Sequence, residues 1–226
     1  MGMIFRMDLR RCRATGALAA FALALVMAGG AARGESPASA EAAATFLSAF
    51  RDQGTAVLAD PDLGPDDRRA AVRRLLAASF DLQAISRFVL GKYWRRASLQ
   101  ERAEFRLLFE DYVAGNIARR LDDVGGETLK LGRARLERPG LAVVASRVVR
   151  AGRASVVVDW RLRHGTSGWR IIDVVVEGVS LALAQRAELT SIVRNSGGRV
   201  APLLAKLRHA MEQDHSLASF RLASSG

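Results

Sequence analysis

Few residues of this 226-residue chain have the type and spacing needed for covalent chemistry. Its three histidines, His164, His209 and His215, stand at no spacing that would close around a metal ion. His164 reads as a turn residue and His209 as a solvated helix residue. The single cysteine, Cys12, precedes an apolar stretch near the start, so the body of the chain has no thiol and no disulfide. There is no G-x-S-x-G elbow, no P-loop and no dinucleotide-type glycine pattern. Asp159, Asp173 and Glu177 lie on neighbouring strand segments and are of the type used for acid–base work in a sheet-lined pocket. Carboxylates on strands this rich in arginine more often form ion pairs. The expectation is therefore no catalytic residue, no metal and no cofactor.

The aromatic residues are more informative. Phe88, Tyr93, Trp94, Phe105, Phe109 and Tyr112 follow one another in a helical region. They either fill a core between helices and sheet or line a cavity for an apolar ligand. A lipid tail and a neighbouring side chain ask for the same wall, so periodicity leaves both readings open.

The elements that would hold these residues can be read in order. An alanine-rich helix is expected from Ser36 to about Gln53, broken by the prolines and glycine of 60–65. A second helix is expected from Asp66 to Ser79 and a short third from Leu82 to Leu90, ended by Gly91. Ser98 and Glu101 form a capping box. Phe105, Leu108, Phe109 and Tyr112 then recur at i, i+3, i+4 and i+7, the stripe of an amphipathic helix that runs towards Gly125-Gly126. After the double glycine the period becomes two. Strands are expected over Thr128–Glu137, Leu141–Arg150, Arg153–Arg163 and Gly168–Glu177, joined by short glycine-containing turns, which makes an antiparallel meander. Val156, Val158, Trp160 and Leu162 share one face of the third strand; Trp169, Ile171, Asp173 and Val175 share one face of the fourth. A helix capped by Ser180 and a last helix bearing Val200, Leu203, Leu204, Leu207 and Met211 close the chain, with a polar tail over 216–226. Helices, then strands, then helices indicate an α+β domain.

The start of the chain has a different character. Arg6, Arg10, Arg11 and Arg13 precede an uncharged, apolar stretch from Ala14 to about Ala32 that ends in small residues. Those are the three parts of an export signal, so residues 1–34 are expected to be a removable signal peptide and 35–215 a single domain in the periplasm. Setting aside the four arginines and one aspartate ahead of the apolar stretch leaves 30 basic and 22 acidic residues. That balance suits anionic lipid or acidic protein partners. An exported protein rarely meets nucleic acid, so no nucleic-acid partner is expected. High arginine content also arises from base composition alone.

Two blocks resemble a known family. The first is Phe80-Asp81-Leu82, then Phe88-Val89-Leu90-Gly91-Lys92-Tyr93-Trp94-Arg95-Arg96-Ala97-Ser98, then Glu101-Arg102 and Phe105. The second is Gly168-Trp169-Arg170-Ile171-Ile172-Asp173, continuing through Glu177-Gly178-Val179-Ser180-Leu181 to Arg186. Together they resemble the signature of the MlaC (toluene-tolerance) family, over about Ala40 to Met211. The resemblance implies a periplasmic carrier that binds phospholipid and shuttles it between an outer-membrane lipoprotein complex and an inner-membrane ABC transport complex. The fold it implies is a four-stranded antiparallel curved sheet, NTF2-like, with a helical subdomain, packed around an apolar cavity for acyl tails. The wall so implied comprises Val156, Val158, Trp160, Ile171 and Val175 on the sheet, with Tyr93, Phe109, Tyr112 and Val179 from surrounding elements. Asp173 and Arg186 are expected to be structural, tying the last strand to the next helix. Ile172, Gln185 and Leu189 depart from the family's usual aromatics, which leaves the cargo between a phospholipid and a hopanoid or other terpenoid lipid. Two rivals remain at this level: an enzyme with a similar conical pocket, which needs a buried carboxylate of shifted pKa, and an adaptor with a filled core.

Overall fold

The structure, a computed structural model, describes residues 38–121, 127–150 and 152–223. The expected export signal and the Gly125-Gly126 stop lie outside these residues. Local chemistry sets most of the helix starts. Ser39 caps α1 (Ala40–Leu58), its hydroxyl accepting from the Ala42 N–H at 3.1 Å. Pro65 opens α2 (Pro65–Ser79), where its missing N–H has no partner to lose, and Asp66 and Asp67 complement the helix dipole. Asp81 caps α3 (Leu82–Leu90) through Ala84 N–H at 2.9 Å. A 3₁₀ turn (Gly91–Arg95) follows, and then α4 (Leu99–Leu121). Its capping box forms as expected: Ser98 N–H donates to Glu101 at 2.8 Å, and Glu101 N–H to the Ser98 hydroxyl at 3.1 Å.

The sheet is an antiparallel meander in the order β1 (Thr128–Arg138), β2 (Leu141–Val149), β3 (Val156–Gly165), β4 (Gly168–Val176) and β5 (Val179–Ser180). The fold is therefore α+β with an antiparallel sheet, but with five strands rather than four. The fifth arises because Glu177 and Gly178 both take positive φ, 48° and 80°. That is a two-residue turn whose twist suits a hairpin, and it brings Val179 and Ser180 back onto Val176 and Val175. Two residues carry no period, so the sequence pattern does not reveal them.

A second difference sits inside β4. The pairing with β3 shifts between Arg161 and Leu162, so Leu162 faces Ile171, whereas Trp160 faces Val174 and Val158 faces Val176. A bulge inserts one residue and swaps the faces beyond it. Val175 and Asp173 consequently lie opposite Asp159 and Arg161, on the reverse side from Ile171. The strict alternation expected for the fourth strand holds only for its first half.

Ser180 caps α5 (Leu181–Asn195), and α6 (Ala201–Ala223) ends the described chain. The helix runs beyond Ser216, where the sequence reading placed a tail; Leu217, Ala218, Leu222 and Ala223 are all compatible with a helical backbone.

Apolar burial divides into two clusters. The first lies between the inner sheet face and α1 and α2, with Leu47, Phe50, Val72 and Leu76 against Val144, Val158, Trp160, Leu162 and Ile171. The second is helical, with Tyr93, Phe105, Phe109 and Tyr112 against Leu189, Val193, Leu203, Leu204 and Leu207. Helix α4 joins them: Ala114 is in the first cluster, Tyr112 is in the second, and Val113 packs against both.

Candidate functional site

The inner face of the sheet is a continuous apolar wall. Cross-strand register places Val144 beside Trp160, Ser146 beside Val158, and Val148 beside Val156. Phe50 from α1 meets the Trp160 ring edge-on, with centroids 5.5 Å apart, and Phe80 meets Phe50 at 5.8 Å. Trp160 brings one polar atom into this wall, and the wall supplies a matching acceptor. Its indole N–H donates to the Ser146 hydroxyl at 2.9 Å, and that hydroxyl donates to the Val158 carbonyl at 2.8 Å. Every polar hydrogen of the pair is thereby used, which lets an otherwise apolar surface carry an indole.

The expected wall residues are not gathered into one surface. Val156, Val158, Trp160 and Ile171 lie together on the inner sheet face, all at 6% exposure or less. Tyr93, Phe109 and Tyr112 lie in the helical cluster, where Phe105 and Phe109 stack at 5.6 Å. Val179 pairs with Val176 at the rim of the inner face and is 45% exposed. Val175 is on the outer face because of the bulge. Sequence reasoning missed Ser146, a polar residue in a strand without distinguishing spacing, and Phe50 and Val113, which periodicity places on helix faces without saying what they meet.

The first motif block has a structural explanation. Arg102 donates to the Trp94 carbonyl at 2.8 Å and lies over the Trp94 ring, while Lys92 and Arg96 flank Tyr93 at 5.2 and 5.9 Å. Gly91 has φ of 57°, and a Cβ there would stand 3.2 Å from the Arg186 guanidinium carbon. Arg186 in turn lies 5.0 Å from the Phe88 ring centroid. It thus ties α5 to the end of α3, not to the last strand. The strand-to-helix tie is made by Asp173 alone, which accepts from Ser180 Oγ at 2.7 Å and from the Ala182 N–H at 3.1 Å.

These contacts also bear on acid–base chemistry. Asp173 is held by those bonds and approached by Arg161 at 3.8 Å, and Glu177 accepts from the Val157 N–H. Burial alone pushes the Glu188 carboxyl on α5 up in pKa. Among the described residues no base or nucleophile is hydrogen-bonded to it. Among the described residues no group of three metal-ligating side chains forms, and no helix is long and apolar enough to cross a membrane. An open groove of about 640 Å³ lies at the β3–β4 hairpin, lined by Asp81, Arg106, Glu110, Arg163 and Arg170 beside Phe80 and Leu107. It is mixed in charge and separate in character from the apolar wall.

The family model described as MlaC protein matches residues 49–209, which spans α1 to α6 and both motif blocks. The chain belongs to the MlaC family. Its fold is also similar to the solved structure of a phospholipid-binding protein from Ralstonia solanacearum in complex with a phospholipid. The two share 20% identity with a TM-score of 0.66, over 80% of this chain and 99% of the other. The MlaC fold thus accounts for the sheet, the flanking helices and the two motif blocks together.

Proposed function

We propose that this MlaC-family chain is a periplasmic lipid carrier, not an enzyme, that takes up the acyl tails of a phospholipid and passes the lipid between membrane-bound transport complexes. The observation that carries the reading is a shared architecture: the similar Ralstonia fold holds a phospholipid, and the same fold here carries a continuous apolar sheet face backed by helices. The physical problem fits that architecture. A diacyl lipid exposes about 30 methylene groups, and leaving them in water costs more than about 20 kcal/mol. A soluble carrier must replace the bilayer with a comparable apolar surface, and transfer between the two is then nearly neutral. No covalent step is needed, and direction comes from the partners at either end.

The wall we assign is the sheet set Val156, Val158, Trp160 and Ile171 together with Tyr93, Phe109 and Tyr112 across α4. The tails would lie along the seam where Val113 touches both clusters, parting them, with Val179 at the rim. Val175 drops out of the wall because it faces the other way. The Ser146–Trp160 bond supports this assignment, since it satisfies the one polar hydrogen that Trp160 brings to the wall.

Native mass spectrometry of protein purified without detergent, followed by organic extraction, tests the reading. Lipid near one per chain, phospholipid or terpenoid, is the expected result. A lipid-free mass that persists after incubation with vesicles made from the host's own lipids would sink it.

A further inference from the structure

The outer face of the sheet, opposite α1 and α2, is basic in a way that local pairing does not explain. Lys130 on β1 stands directly across from Arg147 on β2, and Arg163 on β3 directly across from Arg170 on β4. Like charges in directly opposed positions weaken a sheet. Between them, Arg135 and Arg161 flank Val143 on either side in the same register. Lys130, Arg135, Arg147, Arg161 and Arg163 are all exposed.

Acids only partly offset this face: Asp159 lies on it, opposite Ala145 on β2 and Val175 on β4. Glu137 is bonded to Arg135 at 3.3 Å, Asp81 to Arg163, and Asp173 is near Arg161 but committed to the start of α5. Lys130 and Arg147 have no carboxylate within ion-pair distance among the described residues. A sequence that keeps Lys130 opposite Arg147 with no carboxylate to offset them, against its own stability, is keeping them for something outside the fold.

We infer that this face docks on an anionic lipid bilayer surface. The choice of a bilayer over an acidic protein rests on what the face lacks. Protein interfaces are anchored by aromatic and large apolar side chains in their centres. Among the described residues the exposed large hydrophobics are Phe88, Leu99, Leu107, Leu136, Val179 and Leu183. None is carried by the outer-face positions of the strands, although Leu107 of α4 borders the Arg163–Arg170 corner: three are on helices α3 and α4, Leu183 is on α5, and Leu136 and Val179 pair with the inner-face residues Ala142 and Val176. A face of guanidinium and ammonium groups with only small apolar residues between them needs no shape complementarity. A fluid layer of phosphate headgroups asks for none. The inference stands apart from the cargo: it concerns the opposite side of the sheet from the proposed wall.

The test is sedimentation with vesicles of phosphatidylcholine, with and without about one-third phosphatidylglycerol, using chain purified from cells that express the full sequence. Binding to the anionic vesicles at low salt is expected, with loss at about 0.5 M salt, where screening shortens the reach of surface charge to a few ångström. Each basic group near such a surface contributes about fivefold in partitioning. The triple variant Lys130→Gln, Arg147→Gln, Arg135→Gln should therefore bind on the order of a hundredfold more weakly. Its far-ultraviolet circular dichroism and its co-purifying lipid should be unchanged. The comparison variant Arg74→Gln, Arg87→Gln, Lys206→Gln removes the same charge from exposed helix positions and should bind nearly as well as the parent. Equal weakening by both triples would overturn the inference in favour of net charge alone. No binding of the parent to anionic vesicles would overturn it in favour of an acidic protein partner. A parent chain that binds vesicles but never co-purifies with lipid would count against the carrier reading and leave this one standing.

Discussion

Trp160 on β3 and Ser146 on β2 are joined through the inner face of the sheet, indole N–H to hydroxyl, at 2.9 Å. Both residues are at least 94% buried, and Ser146 returns its own hydrogen to the carbonyl of its cross-strand partner, Val158. The arrangement lets the largest side chain of the wall stay polar at one atom and satisfied.

Ser146→Ala removes the acceptor and leaves a buried indole N–H without a partner. Such an orphaned donor costs about 1–3 kcal/mol. The urea midpoint should fall accordingly, with the slope of the transition unchanged. The further change Trp160→Phe removes the donor as well, so the polar part of that loss should not add to it. A Ser146→Ala midpoint equal to that of the parent would show that the bond contributes nothing.

Gly91 should resist substitution for two separable reasons. Its φ of 57° and ψ of −128° belong to a region that glycine enters freely and alanine does not, and the Arg186 guanidinium fills the place where a side chain would begin. Gly91→Ala is expected to lower stability by about 1–3 kcal/mol. Adding Arg186→Ala relieves only the contact, so most of the loss should remain, as read by thermal or urea unfolding. Full recovery in the double variant would mean that crowding, and not backbone strain, is the cause.

Much of this was legible from the chain itself, and the parts that were not share a cause. The Ser98–Glu101 capping box, the stop at Gly91 and the stripe Phe105–Tyr112 depend on residues close in sequence, so spacing reveals them. The bulge in β4 depends on how β3 and β4 pair, and nothing within Trp169–Val176 marks where the extra residue falls. One inserted residue moved Val175 from the wall to the outer face. The opposed Lys130 and Arg147 are 17 positions apart with two register shifts between them on β1, so their confrontation is a property of register alone. The division of the aromatic residues between two clusters was equally hidden, because helical periodicity says that a face is buried without saying against what.

Glu188 gives a pH dependence with a definite sign. Burial raises its pKa above the ordinary 4.5. Between the unfolded and folded values the folded chain holds more protons, so its stability falls as pH rises through that window. The resulting penalty is fully present above the folded value and absent well below 4.5. Glu188→Gln should thus be more stable than the parent at neutral pH, and the difference should vanish as the solution is acidified. Glu41 acts in the opposite sense, its pKa being lowered by its own backbone hydrogen bond and by Ser39. The parent's acid limb mixes the two, whereas the difference between parent and Glu188→Gln isolates one. A difference that is constant with pH would assign the effect to packing and not to ionisation.

The last prediction tests where the tails lie. Val158→Arg places a charge at the centre of the sheet wall, and Val113→Arg places one at the seam between the two clusters. Val158 is 3% exposed and its substitution stresses the core, whereas Val113 is only partly buried, so the second variant is the one expected to fold readily. In either, a lipid tail can enter only by burying an unpaired charge, which costs far more than the about 1.4 kcal/mol that separates tenfold steps in affinity. Lipid phosphorus extracted per mole of folded protein should therefore fall at least about tenfold for Val113→Arg. Val175→Arg serves as the contrast: it lies on the same sheet but on the reverse face, and its lipid content should match the parent. If Val175→Arg empties the protein and Val113→Arg does not, the tails lie on the opposite side of the sheet from the wall assigned here.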